Sequence, residues 1–361
     1  MTVFVKADNS DDFKEKEIEI YRLIKSIPEN SDFPVMIVAQ SPVNNKNIEI
    51  EITVLMISST NYSYTYNRID EGEFCQTQIG DDISIYGAVK GDVTISEKDD
   101  TSAYNNAIVC FDKMNAILKN QILNFGNIVR QWGYIGKITN YELRICDEGK
   151  IETENYQMFN VARSEFYNIV NWKHGYPSAT GIGMSVVGCS MEFIATNDSP
   201  DKIIIPLQNP KQSNAHEYTG KQFINNSINN IQPNTPKFER GKIVISGNSL
   251  DLFVSGTAAI IGEDSIPGNI DKQTQTTIEN IIELCTKENI DKQGIFIEND
   301  LPPFSGVRAY IKEQKDAEIV EKICRKAFGN IPILCVIADV CREELLVEIE
   351  AYLNCSIKVL N

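Results

Sequence analysis

The feature that most constrains the fold is one order of strand-like and helix-like periodicities, which occurs twice along the chain. Alternation between apolar and polar residues predicts strands, and apolar residues three and four positions apart predict amphipathic helices. In the first half these segments are a strand at 82–96, a helix at 102–122, a strand at 128–138, a helix at 156–172 and a strand at 183–195. In the second half they are two strands within 241–261, a helix at 271–285, a strand at 307–312, a helix at 315–328 and strands at 333–339 and 345–353. Each half therefore approximates ββαβαβ, which predicts an α+β fold with two pseudo-duplicated lobes, each a mixed sheet with helices on one face.

The length supports this division, because 361 residues are too many for one simple core and suit two lobes. A helix predicted at 12–27 and strands near Val35 and Ile48 extend the first lobe. Between the halves, residues 208–240 show little periodicity and contain seven Asn residues, which is typical of a functional loop or of a solvated linker. We predict an N-terminal lobe at 1–200, a connecting segment with substrate contacts at 201–240 and a C-terminal lobe at 241–361.

The charge balance limits the possible partners. The chain contains 34 Lys and Arg against 50 Asp and Glu, a formal net charge of −16. Nucleic-acid binding needs a basic stripe, so we expect no nucleic-acid partner. An anionic small-molecule substrate would have to be bound by a local cluster of Arg and Lys that opposes the overall field. A chain with an internal duplication is expected to be a monomer or a weak oligomer.

The N-terminus and the cysteines bear on the compartment. No basic segment followed by an apolar stretch precedes the first predicted helix, so no signal peptide is predicted. The longest apolar stretch, 331–338, is far too short to span a bilayer. Nine scattered cysteines without a CxxC pair are typical of reduced thiols. We expect a cytoplasmic protein with no membrane partner.

The known cofactor and nucleophile motifs are absent from the sequence. There is no GxxxxGK[ST], no GxGxxG and no GxSxG, and the two histidines lie in no recognisable nucleophile context. No group of His, Cys and carboxylate residues has metal-ligand spacing. We therefore expect no metal and no cofactor, and any chemistry should be acid–base work by carboxylates.

The last predicted strand contains two carboxylates on one face. Alternation along this strand places Glu348 and Glu350 on one side and Val347, Ile349 and Ala351 on the other. By itself this pattern is also typical of a half-exposed strand with a wet carboxylate face. A buried carboxylic acid with a raised pKa could instead deliver a proton at neutral pH.

A series of short motifs begins at residue 129 and continues to the C-terminal region. The motifs are Val129–Ile135, Tyr156–Arg163, Pro177–Gly183, Asn209–Gln212, Pro236–Arg240, Ser255–Gly262, Gln273–Asn280, Ala338–Arg342 and Leu345–Glu350. In this order they resemble the chorismatase family, whose second half is a RidA/YjgF-type domain. The resemblance implies two RidA/YjgF-like lobes with the active site in the C-terminal lobe. It also implies a cofactor-free enzyme of secondary metabolite biosynthesis that acts on chorismate.

The resemblance also assigns roles to individual residues. Enzymes of this family remove the enolpyruvyl group as pyruvate and leave 3-hydroxybenzoate or a dihydroxycyclohexadiene carboxylate. Glu348 matches the family's catalytic acid, which protonates the vinyl carbon. Cys341 and Gly256 match positions at which Cys and Gly are typical of the 3-hydroxybenzoate synthase branch.

The two carboxylates of chorismate need cationic partners. Arg163 is the best candidate, because a planar guanidinium binds a carboxylate through two hydrogen bonds. Arg240, Lys211 and Arg308 are expected to assist, with Tyr218 and Thr180 as hydroxyl donors. Glu217 departs from the family, which has an arginine there, and a like charge close to a dianion would oppose binding. Either Glu217 points away, or the substrate is an amino-substituted chorismate.

The alternatives at this stage are hydrolysis of chorismate to the diene diol and action on an aminated chorismate. An alternative of another class is a RidA-like small-molecule binding protein. Ile333 stands where deaminase-type RidA proteins have an arginine, which argues against ordinary imine hydrolysis.

Overall fold

The N-terminal elements form a small sheet with one helix. The computed structural model describes residues 1–27, 32–57, 59–91, 103–146, 149–219 and 234–358. The first elements are β1 (Thr2–Val5), α1 (Ser10–Lys25), β2 (Met36–Val38), β3 (Ser41–Pro42) and β4 (Ile48–Glu51). β1 lies between β2, which is parallel to it, and β4, which is antiparallel. The side chain of Asn9 caps α1 by accepting a hydrogen bond of 2.9 Å from the backbone N–H of Asp12.

The first lobe is a six-stranded sheet with two helices on one face. Its elements are β5 (Tyr62–Ile69), β6 (Gly72–Ile79), β7 (Asp82–Lys90), α2 (Ala103–Asn120), β8 (Ile128–Gly136), β9 (Tyr141–Cys146), β10 (Gly149–Glu154), α3 (Asn155–Tyr167), β11 (Ser178–Met184) and β12 (Cys189–Thr196). The strand order is β11-β8-β12-β7-β6-β5, and β9 pairs with β10 in a separate hairpin. α2 buries Ala107, Phe111, Met114 and Leu118 at helical spacing against this sheet and α3.

The second lobe repeats this plan. Its elements are β13 (Lys202–Leu207), β14 (Gly241–Ser246), β15 (Ser249–Ala258), β16 (Ile260–Ile261), β17 (Asp264–Ser265), α4 (Ile270–Leu284), α5 (Lys287–Lys292), β18 (Gly306–Ile311), α6 (Ala317–Phe328), β19 (Ile333–Ile337) and β20 (Val347–Ser356). The strand order is β13-β14-β15-β20-β18-β19-β3, so β3 from the N-terminal region completes the sheet. The inward faces of β15, β18 and β20 pack with α4 and α6 in one core.

The two lobes share one topology. The order β19-β18-β20-β15-β14 in the second lobe corresponds to β11-β8-β12-β7-β6 in the first. In each set the first pair of strands is parallel and the other neighbours are antiparallel. The predicted α+β fold of two pseudo-duplicated lobes, with mixed sheets and helices on one face, is confirmed.

The lobes meet where β11 of the first lies against β15 of the second. The hydroxyls of Ser178 and Ser255 are 2.9 Å apart, and Ser255 also accepts a hydrogen bond of 2.9 Å from the backbone N–H of Ala179. Next to them, the backbone N–H of Gly256 donates to the hydroxyl of Thr180 at 3.0 Å. These contacts are buried, so they fix the separation of the two sheets at the place where the motif residues converge.

Most predicted elements agree with the structure to within a few residues, and the differences have local causes. The single strand predicted at 183–195 is wrong: β11 ends at Met184 and β12 begins at Cys189, with a tight turn between them that ends at Gly188, where φ is +115°. The hairpin β5–β6 at the edge of the sheet was not predicted, because β5 is mostly exposed and has no buried apolar face. Residues 92–96 of the predicted strand at 82–96 lie outside the described residues, as do 220–233 of the connecting segment. The lobe boundaries at 200 and 240 stay a prediction.

Within the described ranges, no helix is both long enough and apolar enough to cross a membrane.

Gly183 provides a test of how tightly the first lobe packs on the loop before β20. Its N–H donates to the carbonyl of Asp339 at 2.9 Å, and an added Cβ would lie 2.8 Å from that oxygen and 2.8 Å from Ile138 Cγ2. We expect Gly183→Ala to lower the free energy of unfolding by about 1–3 kcal/mol, because neither neighbour is free to yield. Urea denaturation measures this change.

Gly306→Ala is the matched control, because the nearest atom to its added Cβ is 3.9 Å away. It should change the free energy of unfolding by less than about 1 kcal/mol. Equal effects of the two substitutions would contradict the close packing at Gly183.

Candidate active site

A small cavity lies at the junction of the two lobes. It is bordered by β11 and α3 of the first lobe, by β15 and β20 of the second, and by the segments before β14 and before β20. Six of the predicted site residues line it: Arg163, Tyr218, Arg240, Gly256, Cys341 and Glu348. The enclosed space is about 40 Å³, room for little more than one or two water molecules.

Glu348 is the acid in this cavity. It lies on β20, opposite Tyr310 of β18 and Ala258 of β15, and is only 5% exposed. Within the described parts of the chain, no hydrogen bond or ion pair reaches its carboxyl group. Burial raises the pKa of Glu348 to about 8, the negative charge of Glu350 adds to the increase, and Arg130 and Arg240 oppose it. Glu348 is therefore arranged to hold a proton at neutral pH.

Glu350, two residues further along the same face, has the opposite environment. It accepts hydrogen bonds from Arg130 Nη2 at 2.8 Å, Trp132 Nε1 at 2.8 Å, Thr180 Oγ1 at 2.6 Å and the hydroxyl of Tyr310 at 3.2 Å, and it forms an ion pair with Arg308 Nη1 at 3.3 Å. Although burial acts to raise it, the pKa of Glu350 is lowered by Arg308, Arg130 and these hydrogen bonds. Glu350 is thus an ionised carboxylate with both oxygens occupied.

Gly256 makes room for the acid. A Cβ added at this position would overlap the carboxyl group of Glu348 and would lie 3.0 Å from Thr180 Cγ2. The backbone N–H of Gly256 is held by the hydroxyl of Thr180, which itself donates to Glu350. A residue with a side chain at 256 would therefore displace Glu348 or the Thr180 contact.

Cys341 lies beside the acid, in the segment between β19 and β20. Burial raises the pKa of its thiol, and the nearby Glu348 adds to this effect. The thiol is therefore neutral at physiological pH and acts as a small, weakly polar surface of the cavity.

Three guanidinium groups surround the cavity. Arg163 on α3 is buried, and its Nη2 donates to Asn160 Oδ1, whereas its Nε has no partner among the described residues. Arg240 donates to the carbonyl of Ser213 at 2.6 and 3.1 Å and to the hydroxyl of Tyr218. Arg342 donates to Ser265 Oγ at 3.0 Å and also lines the cavity. In a chain of net charge −16 this is a local cationic site suited to carboxylates.

The other predicted site residues lie outside the cavity. Thr180 and Arg308 lie behind it and contact Glu350, and Arg308 also pairs with Glu51 at 2.7 Å. Lys211 is directed towards Glu283, with the charged atoms 3.6 Å apart. Glu217 is 63% exposed and accepts a hydrogen bond from Asn214 at 3.1 Å. Because Glu217 points away from the cavity, it gives no electrostatic reason for a positively charged substrate.

Several residues at the site were not predicted from the sequence. Arg130 and Trp132 belong to the first matched motif, Tyr156 opens the second, and Arg342 follows Cys341. Glu350 was placed on the same face as Glu348 but received no role. These residues could have been noticed because they belong to the matched motifs. Nothing in the sequence, however, indicates that β8 and β20, which are more than 200 residues apart, share one ion network.

In the part of the chain that the structure describes, no metal centre competes with this site. Among the described residues no three His, Cys, Asp or Glu side chains come together to hold a metal ion. A wider cleft of about 790 Å³ lies between α1 and the β5–β6 hairpin. Its charges pair with one another, Lys90 with Glu17 and Lys25 with Glu73 at 3.8 Å, so it presents no cluster of one sign.

Comparison with known proteins gives matches to chorismatases. Residues 75–195 match the chorismatase FkbO/Hyg5-like N-terminal domain. The chain is 29% identical over 233 residues to a 3-hydroxybenzoate synthase of Streptomyces hygroscopicus, and the match covers 63% of each chain. It is 28% identical over 233 residues to a chorismatase of Streptomyces rapamycinicus, with 63% of this chain and 64% of the relative covered. The matched region thus spans somewhat less than two thirds of these relatives.

A solved structure extends the likeness of fold to nearly the whole chain. The crystal structure of a chorismatase matches with a TM-score of 0.68 at 19% identity, covering 90% of this chain and 88% of the other. The resemblance to the chorismatase family noted in the sequence is therefore confirmed: residues 75–195 match the chorismatase FkbO/Hyg5-like N-terminal domain, and 90% of the chain shares the fold of the solved chorismatase.

Proposed function

We propose that this protein is a chorismate-converting enzyme that releases pyruvate and leaves 3-hydroxybenzoate. The observation that supports this most is the buried acid Glu348, which faces a cavity surrounded by three guanidinium groups. A relative of the chain has the name 3-hydroxybenzoate synthase. The buried acid and the guanidinium groups together suit a substrate that contains an enol ether and two carboxylates, as chorismate does.

Glu348 acts as the general acid in this proposal. It transfers its proton to the terminal vinyl carbon of the enolpyruvyl group, and an oxocarbenium ion forms at the adjacent carbon. The bond between ring C3 and the ether oxygen then breaks and pyruvate leaves, the C4 oxygen shifts to C3, and the ring proton lost on aromatisation returns to Glu348. Pyruvate and 3-hydroxybenzoate together thus contain all the atoms of chorismate. General acid catalysis of this kind contributes about 10²–10⁴-fold to the rate.

Arg163, Arg240 and Arg342 bind the two carboxylates. Arg163 is the strongest candidate, because a buried Nε–H without a partner among the described residues is costly unless a ligand accepts its hydrogen bond. The cavity, at about 40 Å³, is smaller than chorismate. The substrate therefore enters only when side chains around the cavity, such as Tyr218 and Phe238, move outward.

Hydrolysis to the diene diol is the second candidate, and it differs only in the fate of the oxocarbenium ion. Water must then reach the cation beside Cys341 and Gly256. The small Gly256 lets the Glu348 carboxyl occupy the space next to the thiol, which leaves little room for that water. This packing favours the aromatic product.

The direct test is incubation with chorismate. Pyruvate is assayed by coupling to lactate dehydrogenase, and the second product is identified by chromatography. We expect one 3-hydroxybenzoate per pyruvate. Pyruvate without an aromatic product would instead support the hydrolase, and no pyruvate would support a small-molecule binding protein.

Glu348→Gln should reduce turnover by at least about 10²-fold while chorismate still binds, because the amide keeps the shape but has no acidic proton to donate. Binding is measured by calorimetry and turnover by the pyruvate assay. Glu343→Gln is the control: it removes an exposed carboxylate five residues away and should leave turnover unchanged. Near-normal turnover in Glu348→Gln would remove Glu348 from the acid role.

The same substitution should change how stability depends on pH. Because the pKa of Glu348 is raised from its ordinary value of 4.5 to about 8, the folded state retains a proton that the unfolded state has released between these values. As the pH rises from 5 to 9, the free energy of unfolding of the wild type should therefore fall by about 2–5 kcal/mol relative to that of Glu348→Gln. Urea denaturation of both proteins at pH 5, 7 and 9 measures it, and a constant difference would contradict the raised pKa.

Cys341→Ala should shift the product from 3-hydroxybenzoate towards the diene diol, because loss of the sulfur opens space for water beside the acid. The ratio of the two products, measured by chromatography, is the readout. Cys335→Ala, which changes a buried thiol on β19 away from the cavity, is the control and should keep the wild-type ratio. An unchanged product ratio in Cys341→Ala would show that the thiol contributes only to packing.

A further inference from the structure

Two buried carboxyl groups on one face of β20 have opposite surroundings. Glu350 accepts four hydrogen bonds, one of them from the Arg130 guanidinium, and forms an ion pair with Arg308, whereas Glu348 receives neither kind of contact from the described residues. Both are at most 6% exposed, so water does not compensate for the difference. The donors fix the protonation state of Glu350: a carboxyl group with both oxygens occupied by donors, including two cations, has to be ionised.

The ionised Glu350 makes a second negative charge in the same dry space unfavourable. Residues i and i+2 of a strand project from the same face, and little water separates these two carboxyl groups. Two carboxyl groups that share a buried site cannot both ionise easily, so one keeps its proton. The hydrogen bonds decide which one: Glu350 has all the donors, and Glu348 faces the cavity.

The other charged and titratable groups around Glu348 do not reverse this outcome. Arg130 from β8 and Arg240 from the segment before β14 act in the opposite direction. Arg163 on α3 and Arg342 before β20 also line the cavity. Three further titratable neighbours are neutral at working pH, because burial raises the pKa of each: Tyr310 on β18, Tyr156 on α3 and Cys341.

We propose that Glu350 is a positioning residue that keeps the proton on Glu348 while its clamp of Arg130, Trp132, Thr180, Arg308 and Tyr310 keeps Glu350 itself ionised. This inference rests on the proposed function, in which Glu348 is the acid. Glu350 does not touch the substrate. It acts through its charge and through Thr180, which it orients to hold the N–H of Gly256 beneath the acid.

The proposal predicts the direction of a change in the pH profile. In the wild type, kcat/KM for chorismate should fall above about pH 8 as Glu348 loses its proton. Glu350→Gln removes the neighbouring charge but keeps the shape, so this alkaline limb should move to lower pH by about one unit or more. Activity at pH 6 should be reduced less than activity at pH 8.

Arg130→Gln is the opposite variant. Trp132, Thr180, Tyr310 and Arg308 still hold Glu350 ionised in this variant. Removing the positive charge that favours ionisation of Glu348 should therefore move the alkaline limb to higher pH. A merely structural role of the network would damage both variants alike, with lower rates at every pH and no opposite shifts. An unchanged limb in Glu350→Gln, or shifts of the same sign in both variants, would overturn the proposal.

Breaking a buried ion pair can prevent folding, so a double variant keeps the test decisive. Glu350→Gln combined with Arg130→Gln removes the pair as a unit and leaves two amides that can bond to each other. The charge of Glu350 affects the pKa of Glu348 more than the charge of Arg130 does. The alkaline limb of the double variant should therefore still move to lower pH, but by less than in the single Glu350 variant. No shift in the double variant would also overturn the proposal.

A readout without turnover separates this proposal from the proposed function. Infrared difference spectra of wild type against Glu348→Gln isolate the C=O stretch of the protonated Glu348, and its loss with rising pH gives the midpoint directly. A midpoint that moves down in Glu350→Gln, in a protein that does not convert chorismate, would keep the inference and refute the function. Pyruvate formation together with an unchanged midpoint in Glu350→Gln would support the proposed function and refute the inference about Glu350.

Discussion

The two lobes and the cavity between them depend on one buried carboxylate, that of Glu350. Arg130 and Trp132 reach it from the first lobe, and Arg308 and Tyr310 reach it from the second. Burying these charges is costly, so the network adds little net stability, but removal of one partner leaves an uncompensated charge that costs about 3–5 kcal/mol. The network therefore specifies how the lobes dock more than it stabilises them, and the same docking forms the cavity.

The N-terminal elements close this network from behind. Glu51 of β4 pairs with Arg308 at 2.7 Å, and the ring of Phe4 on β1 lies 4.9 Å from the Arg308 guanidinium carbon. Arg308 is thus neutralised on one side by Glu51 and on the other by Glu350. Residues 1–51, in which the sequence analysis identified no family motif, therefore contribute to the electrostatics of the site without lining the cavity.

The fold was predictable because its signals are local, whereas much of the site was not. Amphipathic periodicity predicts α2, α3, α4 and α6, and alternation predicts the two strands within 241–261 that form the β14–β15 hairpin, since each depends on residues close in sequence. Glu348 was found because alternation and a motif both indicate it. The role of Glu350 could not be found, since it depends on Arg130, 220 residues away, and on burial that no local pattern encodes. Lys211 and Glu217 show the converse: sequence position suggested ligand contacts, but their side chains turn to Glu283 and to solvent.

The duplication relates Glu348 and Glu350 to two residues at equivalent positions of the first lobe. On β20, Glu348 lies opposite Tyr310 and Glu350 opposite Arg308, and on β12, Ser190 lies opposite Tyr134 and Glu192 opposite Trp132. The first lobe thus has a serine at the position of the acid but retains a carboxylate at the position of Glu350. Glu192 accepts hydrogen bonds from Tyr134 at 2.8 Å and from Thr2 at 3.0 Å, so it serves to attach β1 to the sheet. A carboxylate alone at the second position makes a structural clamp, and it becomes part of a candidate active site only where a second carboxyl group lies two residues before it beside an open cavity.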